Sequence, residues 1–483
     1  MTAVPMTAVP APASTYPLNR SEHGYLALDG FAGSFHQAYL LRLDRPVDEA
    51  LVRRVLRQLL SAFPRLRCIA VPGWHRHRWQ LLPDDDTVDQ LFDVAYRVRG
   101  DVALDDPAAL QAHHTQLLNE PLPIEHGLAV RMGYYPHPQR PMIHLGVHHM
   151  LCDGRSMQMM ISALLGALNG QPMAPVPMEA PSLLHTIRPL HWKEWPRKLL
   201  AARRHAQEQK RRLAAARVLQ LPTRATPHYS AHAIVHHRLA VSAPELRACA
   251  RRHGVSLNTL VVAAFAQAFL QPHAGDPLAA SVIRLSVDLR RYFPPGHAVP
   301  QTGNYVAAFL VHEGGRLTLA ERAKSVEAQV RTALARYERR EMCWSYLFEE
   351  LMPLLGRTAI AHIAWGMKRA GRFPRISAHA TSLGDCNRLN AAGAAIRLHE
   401  LHISAPSLSP LLAMTELNGQ FNVDVVFQRC ETEPDEVRAW LQRLDALLLA
   451  EAGEAQADAV TPIEAAARMA QPSPAQPPAA LAA

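Results

Sequence analysis

The sequence predicts an α/β fold, an α+β sandwich built in two halves, and three observations carry that prediction. A chain of 483 residues exceeds what one hydrophobic core ordinarily organises. With 48% hydrophobic and 19% charged residues, it has the composition of a globular chain. Strand-like and helix-like periodicities alternate along most of its length, as they do where sheets are covered by helices.

Residues 1–15 are mostly Ala, Pro, Thr and Val, cannot bury a core, and are expected to form a disordered tail. The first half spans 16–185. In it Phe35 to Leu43 reads as a strand, followed by a helix on which Leu51, Val55, Leu59 and Phe63 recur. Leu128 to Tyr135 and Met142 to His148 read as strands joined by a turn over 136–140. A helix starts just after Gly154, with Met157, Met160, Ile161, Leu164 and Leu165 on its apolar face.

Residues 186–228 form a basic helical connector that carries Arg203, Arg204, Lys210, Arg211 and Arg212. The second half spans 229–452. Ala233 to Leu239 reads as a strand, and Ser242-Ala-Pro-Glu245 as a capping box with proline in the first turn. Ser256 caps an apolar helix over 257–270. Asn418-Gly419 between two apolar runs is a type I′ hairpin signal. Leu441, Leu444, Leu447 and Leu448 mark a closing helix, and the stretch 453–483, rich in Ala and Pro, is expected to be largely disordered. A paired architecture of this kind invites a ligand site at the interface of its halves.

The formal charge is +9, with 26 histidines besides, a balance that favours an acidic partner. Nucleic acid is not that partner, because the charge is concentrated in one connector without interleaved aromatics or a reader motif. Six cysteines, at 68, 152, 249, 343, 386 and 430, are scattered with no Cys-x-x-Cys pair, which reads as a reduced, cytoplasmic chain without a disulfide framework. The N-terminus has no basic n-region, and the longest strongly apolar run, Leu260 to Leu270, falls well short of the roughly twenty residues of a membrane span.

The sharpest local feature is His148-His149-Met150-Leu151-Cys152-Asp153-Gly154, where a strand ends and a helix begins. A side chain at such a turn can point into a cleft, and a neutral imidazole there can take a proton from a hydroxyl or amine. Gly154 is expected to let the chain turn tightly into the helix. Asp153 is expected to hold the turn, through local backbone groups or an arginine. A zinc site from His144, His148, His149 and Asp153 is rejected, because adjacent histidines on a strand face opposite sides; no metal is expected.

His148-His149-x-x-x-Asp153-Gly154 resembles the active-site motif of the chloramphenicol-acetyltransferase-like superfamily, which includes condensation domains, wax ester synthases and alcohol acetyltransferases. Further segments resemble theirs in the same order: Leu18-Asn-Arg-Ser-Glu22, Phe63-Pro-Arg-Leu-Arg67, Gly254-Val-Ser-Leu-Asn258, Val287-Asp-Leu-Arg290 with Gly303-Asn-Tyr305, and Thr381-Ser-Leu-Gly384. Together they cover roughly 16–450.

The resemblance implies two similar subdomains in a V-shaped pseudo-dimer, with a central tunnel where donor and acceptor meet. It implies that His149 is the general base and that Asp153 is structural and paired with Arg290. It also implies that Gly303, Asn304 and Ser382 line the tunnel, the last as an oxyanion candidate. The implied reaction moves an acyl group from a coenzyme A or acyl-carrier-protein thioester to a small-molecule alcohol or amine, with no bound cofactor. The chain would then be a monomer. Its connector would attract the acidic carrier, the phosphates of coenzyme A, or an anionic lipid surface in peripheral contact. A non-catalytic condensation-like recruitment protein is the alternative.

Overall fold

The computed structural model describes residues 14–469 apart from 32, 74–75, 222–223, 225, 342–350 and 374. The first half runs β1 (Thr15–Pro17), α1 (Arg20–Leu28), β2 (His36–Leu43), α2 (Glu49–Ala62), β3 (Cys68–Val71), β4 (Arg78–Leu81), α3 (Asp86–Ala95), β5 (Tyr96–Val98), α4 (Pro107–Leu118), β6 (Val130–Tyr135), β7 (Met142–His148) and α5 (Gly154–Leu168). A short α6 (Leu184–Ile187) and the basic α7 (Trp195–Ala214) lead to the second half. That half runs β8 (Arg217–Val218), β9 (His232–Arg238), α8 (Ala243–Arg252), α9 (Leu257–Leu270), β10 (Ala279–Asp288), β11 (Val306–Gly314), α10 (Leu319–Glu338), α11 (Gly356–Arg369), β12 (Ala378–Asp385), β13 (Leu398–Ser404), β14 (Leu411–Leu417), β15 (Gln420–Gln428) and α12 (Pro434–Met469).

The capping chemistry works as the residues dictate. Ser242 accepts the Glu245 amide while Glu245 returns to the cap, and Ser256 accepts the Thr259 amide. Asn418 and Gly419 both have positive φ, 51° and 75°, which is the type I′ turn joining β14 to β15.

Two main cores follow from two sheets. One sheet has the order β11-β10-β12-β14-β15-β9, with β8 beside β10; another has the order β13-β2-β7-β6-β5. The second-half core packs α8, α9, α10 and α12 on its sheet around Phe265, Phe269 and Trp440. The first-half core gathers Leu41, Val55, Leu59, Trp79 and Ile161. Mixed sheets covered by helices, in a pseudo-dimeric pair of subdomains, confirm the predicted fold class.

The division at 229 does not hold in space. β13 pairs antiparallel with β2, so a strand of the second half forms the edge of the first-half sheet. Its residues Leu398, Leu401 and Ile403 lie in the first-half core. The expected C-terminal tail also differs, since α12 continues to Met469. Its alanines are strong helix formers that extend a turn anchored by Leu444 and Leu448. Residues 1–13 and 470–483 of the expected tails lie outside the described residues.

A seam of histidines joins the halves. His114 Nδ1 of α4 lies 2.8 Å from His236 Nε2 of β9, and His236 stacks on His402 of β13 at 4.0 Å between centroids. Burial pushes the His402 pKa down, but Asp424 and Glu400 outweigh it and raise it to about 9, so His402 is cationic against the Asp424 carboxylate at 3.2 Å. Among the described residues no single helix is long and apolar enough to cross a membrane.

Candidate active site

His149 follows directly on β7, with its amide donating to the Phe35 carbonyl at 2.7 Å. Its Nδ1 faces the Cys152 carbonyl at 3.2 Å. A carbonyl can only accept, so Nδ1 carries the proton and Nε2 keeps its lone pair. Tyr25 of α1 stacks on the imidazole at 4.1 Å and 17°, with its hydroxyl 3.1 Å from Nε2. Rings so nearly parallel place that hydroxyl over the imidazole face and leave the in-plane lone pair open. Burial pushes the His149 pKa down to about 4. The ring is therefore neutral at neutral pH and able to accept a proton.

Asp153 turns away from this imidazole. It caps α5, accepting the Ser156 amide at 3.0 Å and its hydroxyl at 2.9 Å. Arg290 reaches it at 2.8 Å and 3.3 Å, and the Tyr305 amide at 3.0 Å. Burial raises the carboxyl's pKa, but Arg290 and the hydrogen bonds prevail and hold it below the usual range. Arg290 also donates to the carbonyls of Pro300 and Gly303 at 2.9 Å and 3.0 Å. The pair is thus a clamp between the halves, with the aspartate on one and the arginine on the other.

The flanking segments complete this frame. The Asn304 side-chain Nδ2 donates to the His149 carbonyl at 2.5 Å, and the Asn304 backbone carbonyl accepts from Asn19 Nδ2 at 3.0 Å. Glu22, in the capping box of α1, is 1% exposed and pairs with Arg65 at 2.7 Å. Gly303 has φ +115°, and a Cβ there would lie 2.8 Å from the Tyr305 ring, so only glycine fits. Between the halves lies a cavity of about 910 Å³, walled by Tyr25, Tyr39 and His149 from one and by Asn258, Ser286, Asn304, His379 and Ser382 from the other.

Residues 14–283 match the family described as Condensation domain. The chain belongs to the condensation-domain family. Acyl transfer is the general reaction class that this assignment carries. Residues 233–345 also match the C-terminus of phthiocerol/phthiodiolone dimycocerosyl transferase. No curated protein matches in sequence. Among solved structures, TRI3 trichothecene 15-O-acetyltransferase from Fusarium sporotrichioides is 13% identical, with 89% of this chain and 94% of that one covered at a TM-score of 0.63. The first condensation domain of the CDA synthetase is 17% identical, with 91% and 96% covered and a TM-score of 0.65. A mutant starter condensation domain of rhizomide synthetase, in complex with C8-CoA and Leu-SNAC, is 16% identical, with 91% and 95% covered and a TM-score of 0.61.

Within this condensation-family site, His149, Asp153, Gly154, Arg290, Gly303 and Asn304 come together. His148 does not join them. Its ring is fully buried, donates to Asp29 at 3.1 Å and accepts the Met150 amide at 3.2 Å; as the strand neighbour of His149 it faces the other side. Gly154 has no positive φ. A Cβ here would stand 3.1 Å from a Leu383 methyl in the cavity wall, which a small side-chain shift relieves, so neither backbone nor space demands glycine. Ser382 lines the cavity, and its hydroxyl is engaged with Asn258 at 3.3 Å and with the Gly384 amide at 3.0 Å. Arg203, Arg204, Lys210, Arg211 and Arg212 are exposed on α7 and are not among the cavity's lining residues.

Motif reading missed Tyr25, Arg284, Ser286 and His379. His379 lies on β12 with Nε2 2.9 Å from the Ser286 hydroxyl; burial, then Arg284 and His149, lower its pKa to about 3.

Proposed function

We propose that this protein transfers an acyl group from a coenzyme A or carrier-protein thioester to a hydroxyl or amine, with His149 as general base. One observation carries the reading: a neutral imidazole whose Nδ1 is fixed by the Cys152 carbonyl, leaving the Nε2 lone pair in a cavity shared by both halves. The acceptor enters with its hydroxyl or amine at Nε2. As its heteroatom attacks the thioester carbonyl, Nε2 takes the proton, and the C–S bond then breaks. The imidazolium returns the proton to the departing thiolate. General base catalysis of this kind contributes about 10²- to 10⁴-fold. The tetrahedral oxyanion needs a donor in a dry site, and the Ser382 hydroxyl on the wall is the candidate once its hydrogen turns from Asn258 Oδ1 to the oxyanion. The cavity also has an apolar side, with Phe309, Val326, Val330 and Leu334, suited to an acyl chain. That a neighbour of the same fold holds C8-CoA supports a coenzyme A thioester as donor.

The test incubates wild type and His149→Ala with a panel of acyl-CoA and acyl-carrier thioesters plus pooled alcohols and amines, following thiol release and product mass together. Transfer should fall at least about a hundredfold in the variant, with the fold intact by circular dichroism. Transfer at the wild-type rate would remove His149 from this role.

A further inference from the structure

Strand β10 carries a pattern that general base catalysis does not use. Ile283, Leu285 and Val287 alternate with Arg284, Ser286 and Asp288, so one face is apolar and the other polar. β10 is an interior strand, held between β11 and β12, and its polar face opens on the cavity with His149. On this face Ser286 and Asp288 are half-buried, and Arg284 is exposed to the cavity. Asp288 has Arg290 at 3.2 Å. Ser286 has His379, which stands opposite Arg284 in the register of β10 and β12. For Arg284, neither hydrogen bond nor ion pair reaches the guanidinium from any described residue.

Nor is there a carboxylate in the wall left to serve it. Asp153 and Asp288 both lie on Arg290. The geometry points to an acyl acceptor that carries a free carboxylate, a hydroxy acid or an amino acid, which Arg284 receives beside Ser286 and His379. A guanidinium meets a carboxylate through two parallel N–H donors, a geometry lysine cannot reproduce. The acceptor is the partner that fits this position. Arg284 lies close enough to the reacting centre to influence Tyr25 and His379. The phosphates of coenzyme A sit at the far end of the pantetheine arm when the thioester is at His149, and the acyl chain has the apolar side of the cavity. The product is then an acylated acid that keeps its carboxylate. This inference rests on the acyl-transfer reading and names its acceptor class.

The test takes the full chain and three probes, β-hydroxydecanoate, serine and phenylalanine, each with its methyl ester. Calorimetry measures binding to wild type, His149→Ala, Arg284→Met and Arg284→Lys. Wild type and His149→Ala should bind at least one acid about 10- to 100-fold more tightly than its ester. Arg284→Met should bind acid and ester alike, and Arg284→Lys should recover part of the difference. Because binding needs no turnover, acid selectivity in a protein that transfers nothing would sink the transferase reading while leaving the carboxylate pocket in place. Turnover is then compared with an acyl-CoA and the matching N-acetylcysteamine thioester, which has no phosphate. A defect of Arg284→Met confined to the coenzyme A donor would move the anion onto the donor and overturn the proposal. Wild type that binds no acid better than its ester overturns it too.

Discussion

Removing the arginine of the interdomain clamp should unfold more than it disarms. In Arg290→Met the Asp153 carboxylate, 1% exposed beside an arginine 8% exposed, keeps Ser156 and the Tyr305 amide but loses its counter-charge. The Gly303 and Pro300 carbonyls lose their donor as well. Breaking a buried pair from one side costs about 3–5 kcal/mol, chiefly because a charge is left without compensation. Neutralising that charge as well should recover much of the loss, so Arg290→Met with Asp153→Asn should be more stable than the sum of the single changes by about 2 kcal/mol. Urea denaturation of the four proteins measures this coupling. Activity provides the second readout. Since Asp153 makes no contact with the His149 ring, Asp153→Asn should lose acyl transfer only in proportion to the folded fraction. An aspartate that orients its histidine directly behaves otherwise, and its amide variant loses about 10⁴-fold in rate with the structure intact. A loss of that size at unchanged stability, or a double variant no better than the sum, would refute the clamp.

Three other outcomes follow from the site. His149 has a folded pKa near 4 against an ordinary value near 6.5, so the acid limb of kcat/KM should fall near pH 4. The unfolded chain takes up this proton as pH drops below about 6.5 while the folded chain refuses it. Stability should therefore be full above that pH and decline towards pH 4, by about 3 kcal/mol for this group alone; urea midpoints against pH read the slope, which His149→Gln should make shallower. Thermal unfolding should separate the two motif glycines. Gly303→Ala meets a buried ring at positive φ and should lose about 1–3 kcal/mol, whereas Gly154→Ala meets only a swinging Leu383 methyl from an ordinary helical φ and should stay within about 1 kcal/mol.

The chemistry at the end of β7 was legible because motif and punctuation coincide: a strand period ends at His148, an aspartate cap follows, and a helix period begins. The loss of His148 from the site was also legible, in the alternation of neighbouring strand residues. Arg284 and Ser286 left a signal of the same kind in the polar face of β10, overshadowed by the Asp288–Arg290 motif at its end. Tyr25 left none, because what brings it onto His149 is the packing of α1 against a turn 124 residues away. β13 was obscured by its own irregularity. A bulge between Leu398 and Glu400 breaks the period-two pattern, and no local feature tells a strand which of two sheets it will join. The helix beyond 453 was misread because alanine favours both low-complexity tails and helices, and only the anchored turns before it decide.

That borrowed strand sets a schedule for the newly made chain. Ser404 donates to the Ala38 carbonyl across 366 residues, so β2 waits with a bare edge until the chain beyond residue 404 has left the ribosome. An exposed strand edge is a template for wrong partners, and pairing at such long sequence separation is slow. The first half is therefore not a module that can be excised or matured by itself, and a nascent chain halted between the halves would be a natural client for a chaperone.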